Sequence, residues 1–339
     1  MELTNFSLGI YILESVLKIF LVLGIILFHA AYTVYAERKI IGRMQARLGP
    51  MEVGPYGLLQ PLADLIKLLL KEDILPLKSH KILFQSAPLI VLGFAIANLS
   101  VIPFHPSFII AEVNLGVLVI LAFASIGVYG IILAGYSSGS KYSLLGGLRS
   151  AAQVLSYEIP LGLSLAGVIL AAESFSLREI VESQRQTFFG IYALPQILGF
   201  IVFLICAFAE TNRVPFDLPE AESELVAGYM TEYSGFRMGI FFLAEYISMY
   251  IMALLISLCY FGGWTLPWWL LSFLPFLKYL PPTLILALKV YLFIFLFIWV
   301  RATFPRYRFD QLMEISWKIL LPLSILNFII VAFIKWGGL

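Results

Sequence analysis

The stretch NLGVLVILAFASIGVYGIILAG, residues 114–135, contains no aspartate, glutamate, lysine or arginine among its 22 residues. An α-helix needs about 20 apolar residues to cross the hydrocarbon core of a bilayer, so this stretch predicts a membrane-spanning helix. Similar apolar stretches recur along the chain. The sequence therefore predicts an all-α, polytopic membrane protein with about eight transmembrane helices, roughly at residues 15–36, 82–102, 114–135, 154–172, 194–210, 239–262, 283–302 and 317–336.

The composition of the 339-residue chain agrees with this fold. Hydrophobic residues make up 61% of it and charged residues 13%, whereas a soluble protein has about 25% charged residues. The net charge of +1 gives no basic patch that would indicate a nucleic-acid partner. Cys206 and Cys259 lie in apolar stretches and are interpreted as buried thiols rather than as a disulfide. No internal repeat or second domain is evident, so residues 1–339 are interpreted as a single integral membrane domain.

The lysines and arginines at the ends of the spans and between them predict the orientation of the chain. The loops after the odd-numbered spans contain 15 of them, and the opposite side contains 4. Because basic residues stay on the cytoplasmic side, we expect these loops to be cytoplasmic and both termini to lie on the outer, periplasmic side. No cleavable signal or transit peptide is evident, which fits a bacterial inner (cell) membrane or an organelle-encoded chain. Of the two locations, the bacterial inner membrane is the one expected, ahead of the mitochondrial inner membrane. The expected cytoplasmic loops are long and ordered, at approximately 37–81, 136–153, 211–238 and 303–316.

The first of these loops ends in an amphipathic segment. In PLADLIKLLLKED, residues 61–73, Asp64, Lys67 and Lys71 are spaced by three and four residues, so they share one face of a helix. Pro61 suits the first turn of such a helix. We predict a helix that lies in the membrane surface or dips into it. A basic loop that only sets the topology is the alternative interpretation.

The loop after the fifth span is unusually acidic, with seven carboxylates around only two basic residues, Arg213 and Arg237. A carboxylate at membrane depth is costly to keep ionised, so a chain of such acids can take up and release protons near neutral pH. Glu158, inside the fourth apolar stretch, fits the same logic. The pattern predicts a proton relay or a redox-coupled electrostatic switch, and the alternative is a solvated face or local ion pairs. The seven acids are Glu210, Asp217, Glu220, Glu222, Glu224, Glu232 and Glu245.

Several kinds of cofactor site are not expected in this chain. His29, His80 and His105 are scattered and lack the spacing of metal ligands. There is no cysteine cluster for an iron–sulfur centre and no glycine-rich nucleotide-binding motif. If the chain takes part in redox chemistry, partner subunits must therefore hold the redox cofactors.

Four long stretches carry a resemblance to a known family. The chain resembles the membrane component of proton-pumping NADH:quinone oxidoreductase, respiratory complex I, that is called the H subunit in bacteria and subunit 1 in mitochondria. The resemblance covers essentially the whole chain. The stretches are ERKIIGRMQARLGPMEVGPYGLLQPLADLIKLLLKED (37–73), GLRSAAQVLSYEIPLG (147–162), AETNRVPFDLPEAESELVAGYMTEYSG (209–235) and RATFPRYRFDQLM (301–313).

The resemblance implies that the cytoplasmic loops form a quinone entry channel and chamber with the peripheral arm, and that quinone reduction there is coupled to proton translocation. It implies quinone as the substrate, FMN and iron–sulfur clusters on partner subunits, and the other membrane and peripheral-arm subunits as partners within the lipid bilayer. Arg213 beside Asp217 is expected to hold the acidic loop through an ion pair. The implied proton-coupling acids are Glu158, Glu210 and Glu245. The implied chamber and loop residues are Arg38, Arg47, Asp64, Lys67, Arg213, Phe216, Asp217, Glu220, Glu222, Glu224 and Arg301.

Three other functions remain open from the sequence. The equivalent subunit of a membrane-bound hydrogenase, or of a related donor-driven ion-pumping complex, shares these loops but does not require a quinone. A free-standing ion antiporter would also use buried carboxylates, although the sequence has neither an internal repeat nor matched broken helices. A purely structural membrane anchor would not require so many acids at the ends of its helices.

Overall fold

A computed structural model describes residues 2–217, 227–273 and 275–337 of the chain. The secondary structure of these residues is helical, apart from turns and loops. Three short 3₁₀ turns lie at Pro55–Gly57, Gly228–Met230 and Pro275–Tyr279. The α-helices are α1 Glu2–Met44, α2 Gln60–Leu70, α3 Lys81–Val101, α4 Gly116–Ser137, α5 Lys141–Ala172, α6 Leu177–Gln186, α7 Ile197–Glu210, α8 Gly235–Cys259, α9 Trp268–Phe273, α10 Pro282–Thr303 and α11 Phe309–Trp336.

Among the described residues, seven helices are long and apolar enough to cross a membrane: α1, α3, α4, α5, α8, α10 and α11. The apolar helix α7 is shorter, with 14 residues. The prediction of an all-α polytopic protein with about eight spans is therefore confirmed.

Three helices extend well beyond the bounds that hydropathy gave, and one of them, α11, begins at Phe309 rather than near residue 317. Helix α1 continues to Met44 rather than ending near residue 36, and α5 begins at Lys141 rather than near residue 154. Much of the expected loop at 136–153 is therefore helix. The reason is that hydropathy measures apolar length, whereas helical hydrogen bonds between backbone groups continue through polar residues.

Helix α8 lies at the centre of the bundle. In the most apolar 18-residue segment of α8, 61% of the residues are buried. The corresponding fractions are 28% in α1 and 22% in α11. It packs against α3, α7 and α10, while α11 packs against α5 and α7. Helix α8 is therefore the element on which side chains from several spans converge, and α1 and α11 are peripheral.

The amphipathic segment after α1 forms a helix, as the sequence predicts. Helix α2 has no buried residue, and it packs against α8 on one side and against the end of α1 on the other. Leu62, Leu65 and Leu69 are exposed on it. Asp64 accepts a hydrogen bond from Arg38 Nη1 of α1 at 2.6 Å, which ties the polar face of α2 to the first span.

An irregular contact between α5 and α11 lies next to Glu158. Pro160 has no backbone N–H, so the carbonyl of Ser156 lacks its usual helical donor. Ser316 Oγ donates to this carbonyl at 2.7 Å. Ser316 belongs to a π-helical turn, Ile315–Leu320, within α11. The π-helical turn of α11 therefore supplies the donor that Pro160 lacks, and this contact positions the Glu158 segment of α5.

A turn after α8 is held by a partly buried lysine of α10. Lys289 Nζ donates to the backbone carbonyls of Phe261, Gly263 and Thr265 at 2.6, 2.8 and 2.6 Å. These three bonds use all three donors of the ammonium group. The turn is thereby fixed between α8 and α10.

A close contact between α5 and the turn at residues 228–230 gives a stability prediction. A Cβ atom on Gly146 would lie 2.6 Å from the Cα of Gly228 and 2.9 Å from the backbone nitrogen of Tyr229. We expect Gly146→Ala to destabilise the chain by about 1–3 kcal/mol, because backbone has to move to admit the methyl group. The measurement is the Tm of the complex in detergent.

Gly162→Ala is the matched control on the same helix, since a Cβ there meets no atom within 4 Å. Alanine favours a helix over glycine by about 1 kcal/mol, so the control variant should be unchanged or slightly more stable. Equal Tm values for the two variants would contradict the close contact.

Candidate functional site

Glu37 is a buried carboxylate at which four elements meet. Its side chain is 4% exposed, and its Oε1 accepts hydrogen bonds from Arg213 Nη1 at 2.8 Å and from Arg301 Nη1. Its Oε2 accepts a hydrogen bond from the Tyr246 hydroxyl at 2.6 Å. Helix α1 supplies Glu37 because it continues past residue 36, and α8 and α10 supply two of its partners.

Arg213 completes this arrangement from the segment after α7. Its Nε lies 2.8 Å from Glu245 Oε1, and its guanidinium lies over the Tyr246 ring at 4.4 Å. Burial opposes its charge, but Glu245 and Glu37 outweigh this effect and raise the pKa of Arg213 above its ordinary value. Arg213 is therefore a permanent cation. We call these five residues the Glu37 cluster: Glu37, Arg213, Glu245, Tyr246 and Arg301.

With both carboxylates ionised, the Glu37 cluster has no net charge. Two arginines face two glutamates, and the side chain of Arg213 is 1% exposed. Charges in such a dry environment interact strongly, so adding or removing one proton changes the balance for every member. The cluster can therefore respond to a charge that appears beside it.

The predicted ion pair between Arg213 and Asp217 is wrong. Asp217 Oδ2 accepts instead from Arg306 Nη2 at 2.9 Å, while Arg213 pairs with the two glutamates. The physical reason is local. Asn212 has a left-handed φ of 49°, so the chain turns sharply after α7 and Arg213 points into the bundle.

The beginning of the acidic loop is anchored to α5 and to the segment before α11. Gln153 Nε2 donates to the carbonyls of Ala209 and Phe216 at 3.0 and 2.7 Å. The Phe216 ring packs between Tyr157 and Tyr307, at centroid distances of 5.5 and 5.9 Å. This anchoring fixes the membrane–loop junction from which Arg213 and Asp217 project.

The other implied chamber residues are only partly brought together. Arg38 and Asp64 form an ion pair, whereas Lys67 lies exposed on α2. Arg47 is exposed, and its Nε donates to Gln45 Oε1. Three acids of the loop lie outside the described residues: Glu220, Glu222 and Glu224.

The three intramembrane acids differ in their surroundings. Glu158 Oε2 accepts from Ser125 Oγ at 2.9 Å. Its Oε1 and the Oε2 of Glu210 are buried and have no donor among the described residues. Glu210 and Glu245 both line a cavity of about 80 Å³ between α3, α4, α7 and α8. Glu245 therefore belongs to the Glu37 cluster and to the cavity at once.

Sequence reasoning missed Glu37, Tyr246 and Arg306. Glu37 precedes the predicted Arg38, but hydropathy ends the helix one residue before Glu37 and so assigns this residue to a basic loop. A signal was present, since His29, Thr33 and Glu37 recur every four residues and therefore share a helix face. Tyr246 and Arg306 gave no comparable pattern.

Comparisons with known proteins agree with this architecture. The family model described as NADH dehydrogenase matches residues 17–332. The second NADH-quinone oxidoreductase H subunit of Koribacter versatilis is 48% identical, over 96% of this chain and 98% of the relative. The H subunit of Magnetococcus marinus is 50% identical, over 92% of this chain and 88% of the relative. The H subunit of Thermomicrobium roseum is 47% identical, over 96% and 97%. The chain therefore belongs to the family of NADH-quinone oxidoreductase H subunits, and it is a membrane subunit of an enzyme complex rather than an enzyme by itself.

Proposed function

We propose that this chain forms the quinone entry channel and chamber together with peripheral-arm subunits, and that it couples quinone reduction to proton translocation. The proposal rests on the position of Glu245. Its Oε1 lies 2.8 Å from Arg213 Nε of the Glu37 cluster, and the same side chain lines the cavity of Glu210. One residue thus joins the charged junction at the loops to the acids inside the membrane. In this proposal FMN and iron–sulfur clusters reside on partner subunits, and the chain is a single membrane domain with both termini on the outer side of a bacterial inner membrane.

Helix α2 is suited to frame the quinone entrance. A quinone has a long apolar tail and a polar headgroup, so its route needs an apolar surface at lipid level with polar groups behind it. The exposed leucines of α2 supply the first, and the ion pair between Arg38 and Asp64 supplies the second. Glu37 directly precedes Arg38 on α1, so the Glu37 cluster begins next to this entrance.

Coupling follows from the charge balance of the Glu37 cluster. Reduction of a quinone to a quinol takes up two electrons and two protons, so negative charge appears transiently near the chamber. Negative charge near Arg213 weakens the electrostatic attraction between this arginine and Glu245. Glu245 then takes up a proton, which it draws through the cavity from the side of Glu210. In this step the chain contributes carboxyl groups that exchange protons and charged side chains that act on them electrostatically. The redox groups belong to partner subunits.

Photolabelling of the intact complex tests the quinone route. We expect a photoreactive quinone analogue to label this chain on α2 and on the adjacent end of α1, because the exposed leucines there meet lipid. Excess native quinone should suppress this labelling. The control surface is the exposed apolar face of α10, where Leu292 is 61% exposed and labelling should be weak and not suppressed.

Two outcomes would count against the proposal. Labelling that is confined to other subunits would remove the quinone channel from this chain. Labelling of α2 that native quinone does not suppress would indicate ordinary lipid exposure. The second result would favour the hydrogenase-type alternative, in which the same loops serve a complex that needs no quinone.

A further inference from the structure

Two short elements join the end of α8 to the beginning of α10, namely α9 and the 3₁₀ turn Pro275–Tyr279. We call these two elements the aromatic segment. The Glu37 cluster uses the first half of α8 and the last turn of α10. The aromatic segment therefore lies at the opposite end of the bundle, at the other surface of the membrane. Four large aromatic side chains are exposed on it: Trp268, Phe273, Phe276 and Tyr279.

The side chains of α9 use their polar hydrogens inside the chain. Trp268 Nε1 donates to the carbonyl of Phe188 at 2.8 Å, and Trp269 Nε1 donates to the carbonyl of Phe189 at 3.2 Å. Ser272 Oγ donates to the carbonyl of Trp269 at 2.7 Å. An indole ring has no donor besides its N–H group. The exposed part of the Trp268 ring is therefore hydrocarbon, and α9 is fixed to the bundle.

The exposed surface changes from apolar to polar along the aromatic segment. Phe273 and Phe276 are 79% and 61% exposed, and Lys278 and the hydroxyl group of Tyr279 follow them. A lysine keeps its apolar stem in a nonpolar environment while its ammonium group reaches polar surroundings. Tryptophan and tyrosine favour the boundary between acyl chains and headgroups. The order of these residues therefore matches a lipid–water boundary, whereas a protein interface needs about one hydrogen bond per 100–200 Å².

The aromatic segment leads directly into an apolar surface of a membrane span. Helix α10 begins at Pro282, and Leu284, Leu288 and Leu292 are exposed on it at every fourth residue, on one face of the helix. Helix α10 is long and apolar enough to cross a membrane, so this face is suited to acyl chains. The short elements before it leave backbone groups unpaired, which the hydrocarbon core does not tolerate. Their backbone therefore belongs at the level of the headgroups.

We propose that the aromatic segment is an interfacial anchor that binds the phospholipids of one leaflet, which is the outer leaflet in the topology proposed above. Phe273 and Phe276 lie among the upper acyl carbons, and Lys278 lies at the level of the lipid phosphates. Amphipathic segments bind a membrane through buried apolar area and through attraction to anionic headgroups. The anchor holds the far ends of α8 and α10 at a fixed depth. This inference depends neither on quinone binding nor on proton coupling.

Photocrosslinking in the intact complex tests the anchor. The photoreactive residue p-benzoylphenylalanine bonds to nearby C–H groups on illumination, and it replaces Phe276 in one variant and Leu292 in another. The complex is reconstituted in vesicles of phosphatidylethanolamine and phosphatidylglycerol, and the adducts are identified by tandem mass spectrometry. We expect phospholipid adducts at both positions. At Phe276 the modified acyl carbons should be nearer the headgroup, because Leu292 lies in the middle of α10.

Glu182 provides the matched control at the same end of the bundle. It is exposed on α6, and Gln184 of α6 donates to the carbonyl of Leu258 near the end of α8 at 2.7 Å. The photoreactive residue in place of Glu182 should lose the phospholipid adducts, because the polar face of α6 meets water. Replacement of Phe273 repeats the test if replacement of Phe276 prevents assembly, and it should also give phospholipid adducts.

Three results would overturn the inference. Adducts of Phe273 and Phe276 variants with another protein would assign this surface to a subunit interface. The absence of adducts in both variants would place the aromatic segment in water. Phospholipid adducts at Glu182 as abundant as those at Phe276 would remove the distinction on which the anchor rests. Quinone photolabelling and the coupling of Glu210→Gln are measured separately, so the proposed function does not fail with the anchor.

Discussion

Arg213→Leu is expected to destabilise the membrane subunit by about 3–5 kcal/mol, the usual cost of removing one partner from a buried ion pair. The side chain of Arg213 is 1% exposed, and it pairs with Glu37 at 2.8 Å and with Glu245 at 2.8 Å. Its loss leaves the cluster with two carboxylates and only Arg301 as a cation. We expect lower Tm in detergent and loss of the subunit from the complex on native gels.

Two further variants make this prediction specific. Arg178→Leu removes a surface pair with Glu112 at 3.3 Å, and such exposed pairs contribute about 0–1 kcal/mol. It should therefore be almost neutral. The double variant Arg213→Leu/Glu37→Gln removes one of the stranded charges and should recover part of the lost stability. If Arg213→Leu is as stable as Arg178→Leu, the cluster is not the electrostatic centre that its geometry indicates.

Glu210→Gln is expected to abolish coupled proton translocation while the complex still assembles. Glutamine has the size of a protonated glutamate, so the packing at the end of α7 is preserved, but it cannot exchange a proton. The loss should be about 100-fold or more, the contribution of a positioned acid or base. The measurement is proton uptake per electron in sealed proteoliposomes, together with the rate of quinone reduction.

Glu173→Gln is the matched control, because Glu173 pairs with Lys335 on the exposed surface and does not line the cavity of Glu210. It should pump as the wild type does. The variant Asp217→Asn tests the loop side of the same junction. It weakens the ion pair between Asp217 and Arg306, whose atoms lie 2.9 Å apart, so coupled turnover should also fall. Wild-type coupling in Glu210→Gln would remove this acid from the proton route.

Local patterns were sufficient to predict the fold. Apolar stretches of about 20 residues mark spans because lipid permits few charges. The polar stripe of Asp64 and Lys67 predicted α2, because three- and four-residue spacing is a property of the helix itself. Because lipid permits few charges, an acid that interrupts or borders an apolar stretch is easy to recognise in the sequence. This applies to Glu158, Glu210 and Glu245.

The partners of those acids could not be predicted in the same way. Glu37 and Arg213 are 176 residues apart in sequence, and Glu37 and Arg301 are 264 apart, so only tertiary packing brings them together. The expected pair of Arg213 with Asp217 relied on sequence proximity and failed at the left-handed turn of Asn212.

The lysine that fixes the turn after α8 has a consequence for biogenesis. A lysine at the centre of a helix that enters the membrane by itself raises the insertion free energy by about 2.5–3.5 kcal/mol, and Lys289, the eighth residue of α10, would raise it by less. The three carbonyls that accept from Lys289 lie 24 to 28 residues earlier in the chain, so they leave the ribosome first. We therefore expect the Lys289 ammonium to find its acceptors before α10 enters the bilayer, and we expect α10 to enter together with α8 as one hairpin.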